Sequence, residues 1–152
     1  MCIRDSLVAI DESRQPFAPT LIKAGEGRHE IWFAGGHGDI GGGHKDRATA
    51  EMTLGYMMKV AELMSLRFLD GSVSGVEELA EYDGAIHISN DKFDPHQRSI
   101  VVRFGKGESV LLPKIHESVF ERDSTYRPSN LNGMGENEYE VVKKLFDFRY
   151  CE

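Results

Sequence analysis

Three observations predict an α/β fold. A short apolar run, Leu7-Val8-Ala9-Ile10, ends in Asp11-Glu12, as a buried parallel strand does when it delivers carboxylates to its C-terminal edge. A second run, Ile31-Trp32-Phe33 between Glu30 and Ala34, joins aromatic to β-branched residues. A glycine-rich loop follows at once, five glycines among the eight residues from Gly36 to Gly43, and a long helical pattern opens at Ala48. Strand, glycine-rich loop and helix in this order hold reactive groups at the carboxyl edge of α/β sheets.

The first six residues are set apart. Met-Cys-Ile-Arg-Asp-Ser is the translation of ATG-TGT-ATA-AGA-GAC-AGN, which resembles the end of a transposon adapter used in sequencing libraries. Residues 1–6 are therefore read as a library scar and left out of the fold, with the gene truncated upstream. After the first strand, Pro16 and Pro19 force extended chain through Phe17 to Thr20. A loop from Lys23 to Arg28 leads into the second strand.

From Ala48 to Leu66 the spacing of Ala50, Leu54, Met57, Met58, Ala61 and Met64 predicts a helix with one apolar stripe, Thr53, Lys59 and Glu62 facing elsewhere. A stripe of this kind packs as core, and Gly55 within it implies a close neighbour. Asp70 to Gly75 reads as a turn-rich connection, and Glu77 to Tyr82 as a short acidic helix. Ser99 to Phe104 and Glu108 to Leu112, joined by Gly105-Lys106-Gly107, predict a hairpin. Ile115 to Arg122 reads as a short helical stretch, and the tail from Glu136 as a final helix. A His-x-Ser triplet occurs twice, at His87 and His116.

Composition bounds the function. With 152 residues, 40% hydrophobic and 28% charged, this is one domain's worth of globular chain or a piece of a larger one. A net charge of −7 argues against the basic surface that nucleic acid requires. No apolar run reaches the ~20 residues of a membrane span. Cys2 and Cys151 make neither a disulfide framework nor a zinc spacing.

Four readings compete for Gly35 to His44. Gly36-x-Gly38-x-x-Gly41 matches a dinucleotide fingerprint, but Asp39 would then repel the pyrophosphate, and no acidic residue ends a second strand at the required spacing. A phosphate-cradling Walker loop fails because Gly43 precedes His44-Lys45-Asp46. His37, Asp39 and His44 have donor types that suit zinc or iron, although one short loop seldom supplies three converging ligands. The fourth reading makes His37 the acid–base histidine of a hydrolase, since imidazole titrates near neutrality and the glycines leave room for substrate.

The run Trp32-Phe33-Ala34-Gly35-Gly36-His37-Gly38-Asp39-Ile40-Gly41-Gly42-Gly43 resembles the W-F-x-G-x-H-x-D-[VI]-G-G-G signature of the family called domain of unknown function 2235. Those proteins have an α/β-hydrolase fold and include catalytic domains of type VI secretion phospholipase effectors. Ala9 to Phe17, Leu54 to Ala61, Ile115 to Val119 and Tyr126 to Leu131 are similar to flanking family segments.

The resemblance implies that residues 7–131 are the C-terminal part of an α/β-hydrolase-like domain, with 132–152 a tail. It makes His37 the triad histidine, and Asp39, with Gly41, Gly42 and Gly43, is given the role of bracing the loop rather than that of triad acid. Asp11 is a candidate orienting acid. Gly-x-Ser-x-Gly is absent from the chain, and the family pattern puts the serine and triad acid upstream, so this chain alone is expected to be inactive. Gly36, Gly38 and His44 stand where a larger residue, a serine and an aromatic are more usual. An ester or lipid substrate is implied, with no cofactor and no metal, and with membrane contact only at the periphery and through the parent protein. The soluble compartment expected by default is the cytoplasm, secretion being compatible with the effector resemblance. The rivals are a non-catalytic binding or structural domain and a small metal-binding protein using His37, Asp39 and His44.

Overall fold

The computed structural model describes residues 4–12, 14, 17, 19–22, 25, 27–87, 113–126, 128, 131 and 134–142. Strands β1 (Arg4–Ala9) and β2 (Arg28–Phe33) precede helices α1 (His37–Gly41), α2 (Ala48–Leu63) and α3 (Ser72–Leu79). Strands β3 (Lys114–His116) and β4 (Glu140–Val142) follow. The four strands form one sheet in the order β1-β2-β3-β4, and each neighbouring pair is parallel. The fold class is thus α/β, as predicted. Among the described residues, no helix is long and apolar enough to cross a membrane.

β2 divides the core, because successive side chains of a strand face opposite ways. Ile31 and Phe33 point at α2 and bury Met52, Tyr56 and Val60. Trp32 and Ala34 point to the other side, where they meet Val8, Ile10, Ile115 and Val119. That second face is closed by partly buried residues from irregular chain, among them Leu21, Ile86, Tyr126 and Met134.

The elements differ from the sequence expectations in instructive places. β1 begins at Arg4, and Asp5 and Ser6 register against His29 and Glu30, so residues set aside as outside the fold are paired in the sheet. On α2 the buried positions are Thr49, Ala50, Glu51, Met52, Thr53, Gly55, Tyr56 and Val60. Leu54, Met57 and Met64 are 43%, 37% and 39% exposed, so half of the expected stripe faces outward. The helix instead presents Met52, Tyr56 and Val60, four residues apart, to the sheet.

Gly55 faces α3, and a Cβ there would lie 3.5 Å from Val76 Cγ1, ordinary contact rather than a squeeze. α3 starts at Ser72, within the expected connection, and ends at Leu79, short of Tyr82. Gly71, at φ +80°, supplies the left-handed turn that lets it begin there.

The stretch expected to be helical from Ile115 is strand β3, followed by a single 3-10 turn at Glu117–Val119. Of the expected final helix, the described part, to Val142, is a 3-10 turn at Glu136–Glu138 that leads into β4. In both places local helical spacing yields to pairing with a parallel neighbour. The predicted hairpin lies outside the described residues.

Candidate acid–base and donor cluster at the sheet edge

The carboxyl ends of β1 and β2 are locked together by the residues that follow them. Ile10 N–H donates to Phe33 O at 2.9 Å, and Asp11 N–H to Gly35 O at 3.0 Å. The Asp11 carboxylate returns the link by accepting the Gly35 N–H at 2.7 Å. Gly35 holds φ +115°, where a side chain would be strained, and a Cβ would lie 2.6 Å from Asp39 Cβ. This turn throws the chain off the sheet and into α1.

α1 is one turn long and carries Asp39 as its buried residue. Asp39 Oδ2 accepts the Gly36 N–H at 2.8 Å, which satisfies one of the amides left open at the helix start. The same oxygen accepts the His87 N–H at 3.0 Å, and Oδ1 lies 2.7 Å from His87 Nδ1. Asp39 thus carries a carboxylate–imidazole pair that links residues 48 apart in sequence.

His87 is delivered by an irregular segment fastened at several points. Arg122 donates to the carbonyls of Tyr82 and Gly84. Gly84 packs so closely on α2 that a Cβ would sit 2.7 Å from Ala48 Cβ. Thr49 Oγ1 donates to Ala85 O at 3.4 Å. The Tyr82 hydroxyl donates to Glu117 at 3.4 Å, and burial together with that carboxylate pushes its pKa up to about 12.

His44 completes the group. Its ring stacks on His87 with centroids 3.9 Å apart and planes 15° apart, and its Nε2 is 3.9 Å from Asp39 Oδ1. Asp39, His44 and His87 each offer a ligand atom within 4.8 Å of the others.

His37 lies elsewhere on the rim. Its residue is exposed, its ring packs against Phe17 at 5.1 Å, and its N–H donates to Glu12 at 3.2 Å. Among the described residues no carboxylate pairs with its imidazole. Glu12 is buried and also takes the Arg14 backbone N–H and guanidinium at 2.7–2.9 Å. Burial alone would raise its pKa, but the donors from Arg14 and His37 together hold it at about 2.

Asp11 faces Gly35 and Tyr126, not an imidazole, and burial raises its carboxyl above the usual range. Gly41, Gly42 and Gly43 close α1, with the N–H groups of Gly42 and Gly43 both reaching Gly38 O. The other His-x-Ser histidine, His116, is buried in the core, stacked on Phe33 at 4.4 Å and bonded to Ser118.

Of the three donors grouped from sequence, the structure joins Asp39 and His44 and leaves His37 apart. His87 was missed because 48 residues separate it from its partner. Its one signal was the repeated His-x-Ser triplet.

The site is an imidazole paired with a buried carboxylate beyond the carboxyl edge of a parallel sheet, on an α/β scaffold. Residues 3–60 match the family described as T6SS, phospholipase effector Tle1-like, catalytic domain. This stretch carries β1, β2, the glycine-rich loop, α1 and most of α2, and the family is the one its signature resembles. No curated protein and no solved structure matches the chain.

Proposed function

We propose that this chain supplies the acid–base half of an ester hydrolase acting on ester or phospholipid substrates, with Asp39 as the orienting acid and His87 as the base. The observation that carries the reading is the 2.7 Å approach of His87 Nδ1 to the buried Asp39 carboxylate. A hydrogen bond from Nδ1–H to Asp39 fixes the tautomer and leaves the Nε2 lone pair free. Nε2 then takes a proton from an alcohol nucleophile and returns it to the departing alcohol, while Asp39 stabilises the imidazolium formed between the two transfers. The phospholipase effector-like family match of residues 3–60 supports the substrate class.

The nucleophile is assigned to sequence upstream of this chain, as the family pattern implies, so this chain alone gives no turnover. The test is phospholipid and p-nitrophenyl ester hydrolysis by the full-length parent protein. His87→Gln and Asp39→Asn each lower kcat by about 10²–10⁴-fold, the range that a positioned acid–base group contributes. His37→Gln stays within about tenfold of wild type, because among the described residues no acid orients its ring. A loss confined to His37→Gln would return the role to His37. Full activity in all three variants would sink the hydrolase reading.

A further inference from the structure

We propose that Asp39, His44 and His87 form a binding site for a zinc-class divalent transition ion, and that filling it withdraws His87 from acid–base work. The binding half stands on geometry alone, and the regulatory half rests on the reading of His87 as the base. One ligand atom from each of the three lies within 4.8 Å of the others. Two imidazoles and one carboxylate, with a fourth position open to water, are a donor set that zinc takes in tetrahedral geometry. Asp39 is buried and already held by the Gly36 and His87 amides, so it is a fixed anchor rather than a mobile surface acid.

His87, whose side chain is 37% exposed, is tied to Asp39 through both its ring and its backbone, which leaves His44 as the member freer to move. The His44 side chain is 35% exposed. The stacked rings must tilt apart for both lone pairs to meet one ion, and His44 can do so on its open side. Gly38 makes the room, since a Cβ there would lie 2.6 Å from His44 Nε2. Two of the three residues that depart from the family pattern, Gly38 and His44, therefore act together: one clears the space that the other occupies.

Acid–base work and metal binding exclude each other through the place of one proton. In the pair with Asp39, His87 carries its proton on Nδ1 and keeps its lone pair on Nε2. When Nδ1 is a ligand, the neutral ring must carry that proton on Nε2 and has no lone pair left to accept another. The ring neither gains nor loses a proton overall, and the Nδ1–H bond to Asp39 gives way to two bonds to the ion.

The purified chain is titrated with zinc chloride by calorimetry and with cobalt chloride by visible absorption. A single saturable ion per chain, with the strong d–d bands of tetrahedral cobalt, is expected. His44→Phe, which keeps an aromatic ring on His87, and Asp39→Asn weaken binding by at least about tenfold, the loss that even outer-shell partners produce. His37→Ala binds like wild type. Imidazole nitrogen spectra show zinc shifting the His87 proton from Nδ1 to Nε2. Absence of saturable binding, or binding that His44→Phe leaves unchanged, overturns the site. Zinc binding in a chain whose parent hydrolyses normally with His87→Gln would keep the site and remove its regulatory role.

Discussion

The Tyr126 hydroxyl donates to Asp11 Oδ2 at 2.5 Å, joining residues 115 apart in sequence. The same oxygen accepts the Gly35 N–H at 2.7 Å, so one carboxylate binds the end of β1, the turn before α1 and the segment after β3. Burial raises the Asp11 carboxyl above 3.8, against the opposing pull of the two donors. Burial and the adjacent carboxylate likewise drive the Tyr126 hydroxyl upward.

Tyr126→Phe removes one donor and should cost about 1–3 kcal/mol at neutral pH, the worth of a hydrogen bond to a charged group. An acid raised on folding favours the folded state fully below its unfolded value, and that advantage fades as pH rises through the folded value. Without the hydroxyl the Asp11 carboxyl rises further, so the deficit should be larger at pH 7 than below 3.8, where Asp11 is protonated in both states. Urea midpoints across that range check it, and a deficit independent of pH would disconnect the tyrosine from the carboxylate.

Glu12 has the opposite sign. Its carboxyl falls from 4.5 to about 2 because the donors from Arg14 and His37 outweigh its burial. Its stabilising contribution is therefore complete above pH 4.5 and disappears as pH falls through about 2. Glu12→Gln should lower stability by about 1–3 kcal/mol at pH 7. The two stability curves should converge toward pH 2, and parallel curves would contradict this account.

Arg122 acts on the Asp39–His87 pair at a distance. Its fork holds the Tyr82 and Gly84 carbonyls, and its guanidinium lies 5.3 Å from the Tyr126 ring centroid. Lysine keeps the charge but not the fork. Arg122→Lys should weaken the 82–87 segment by about 1–2 kcal/mol, which is about 5–30-fold in local opening. Hydrogen exchange at the His87 amide, which donates to Asp39, reads this directly. Unchanged exchange there would show that Gly84 packing alone holds the segment.

The first two strands and the long helix were legible because each rests on a continuous apolar or helical pattern. β3 and β4, three residues each, are too short to show a period, and only their neighbours make them strands. The acidic loop residue was visible from its glycines, whereas its partner was not. His87 lies in irregular chain fixed by Arg122, Gly84 and Thr49, contacts that no local spacing announces. His37 drew attention by sitting within the signature, yet the turn at Gly35 carries its ring outward to Phe17.

α2 tests how far apolar spacing can mislead. Thr53 is 2% exposed, and its hydroxyl lies 2.9 Å from the carbonyls of Ile40 and Ala50. Ile40 belongs to α1, whose last carbonyls have no partner within so short a helix. Thr53 thus ties α1, and with it Asp39, to the long helix. Thr53→Val keeps the shape and removes the hydroxyl, and should cost about 1–2 kcal/mol with the Ile40 carbonyl left unpaired. Leu54→Gln, one residue on and 43% exposed, should stay within about 0.5 kcal/mol of wild type. Denaturation of the two variants side by side decides between the faces. A larger loss at Leu54 than at Thr53 would restore the apolar stripe as the packed side of the helix.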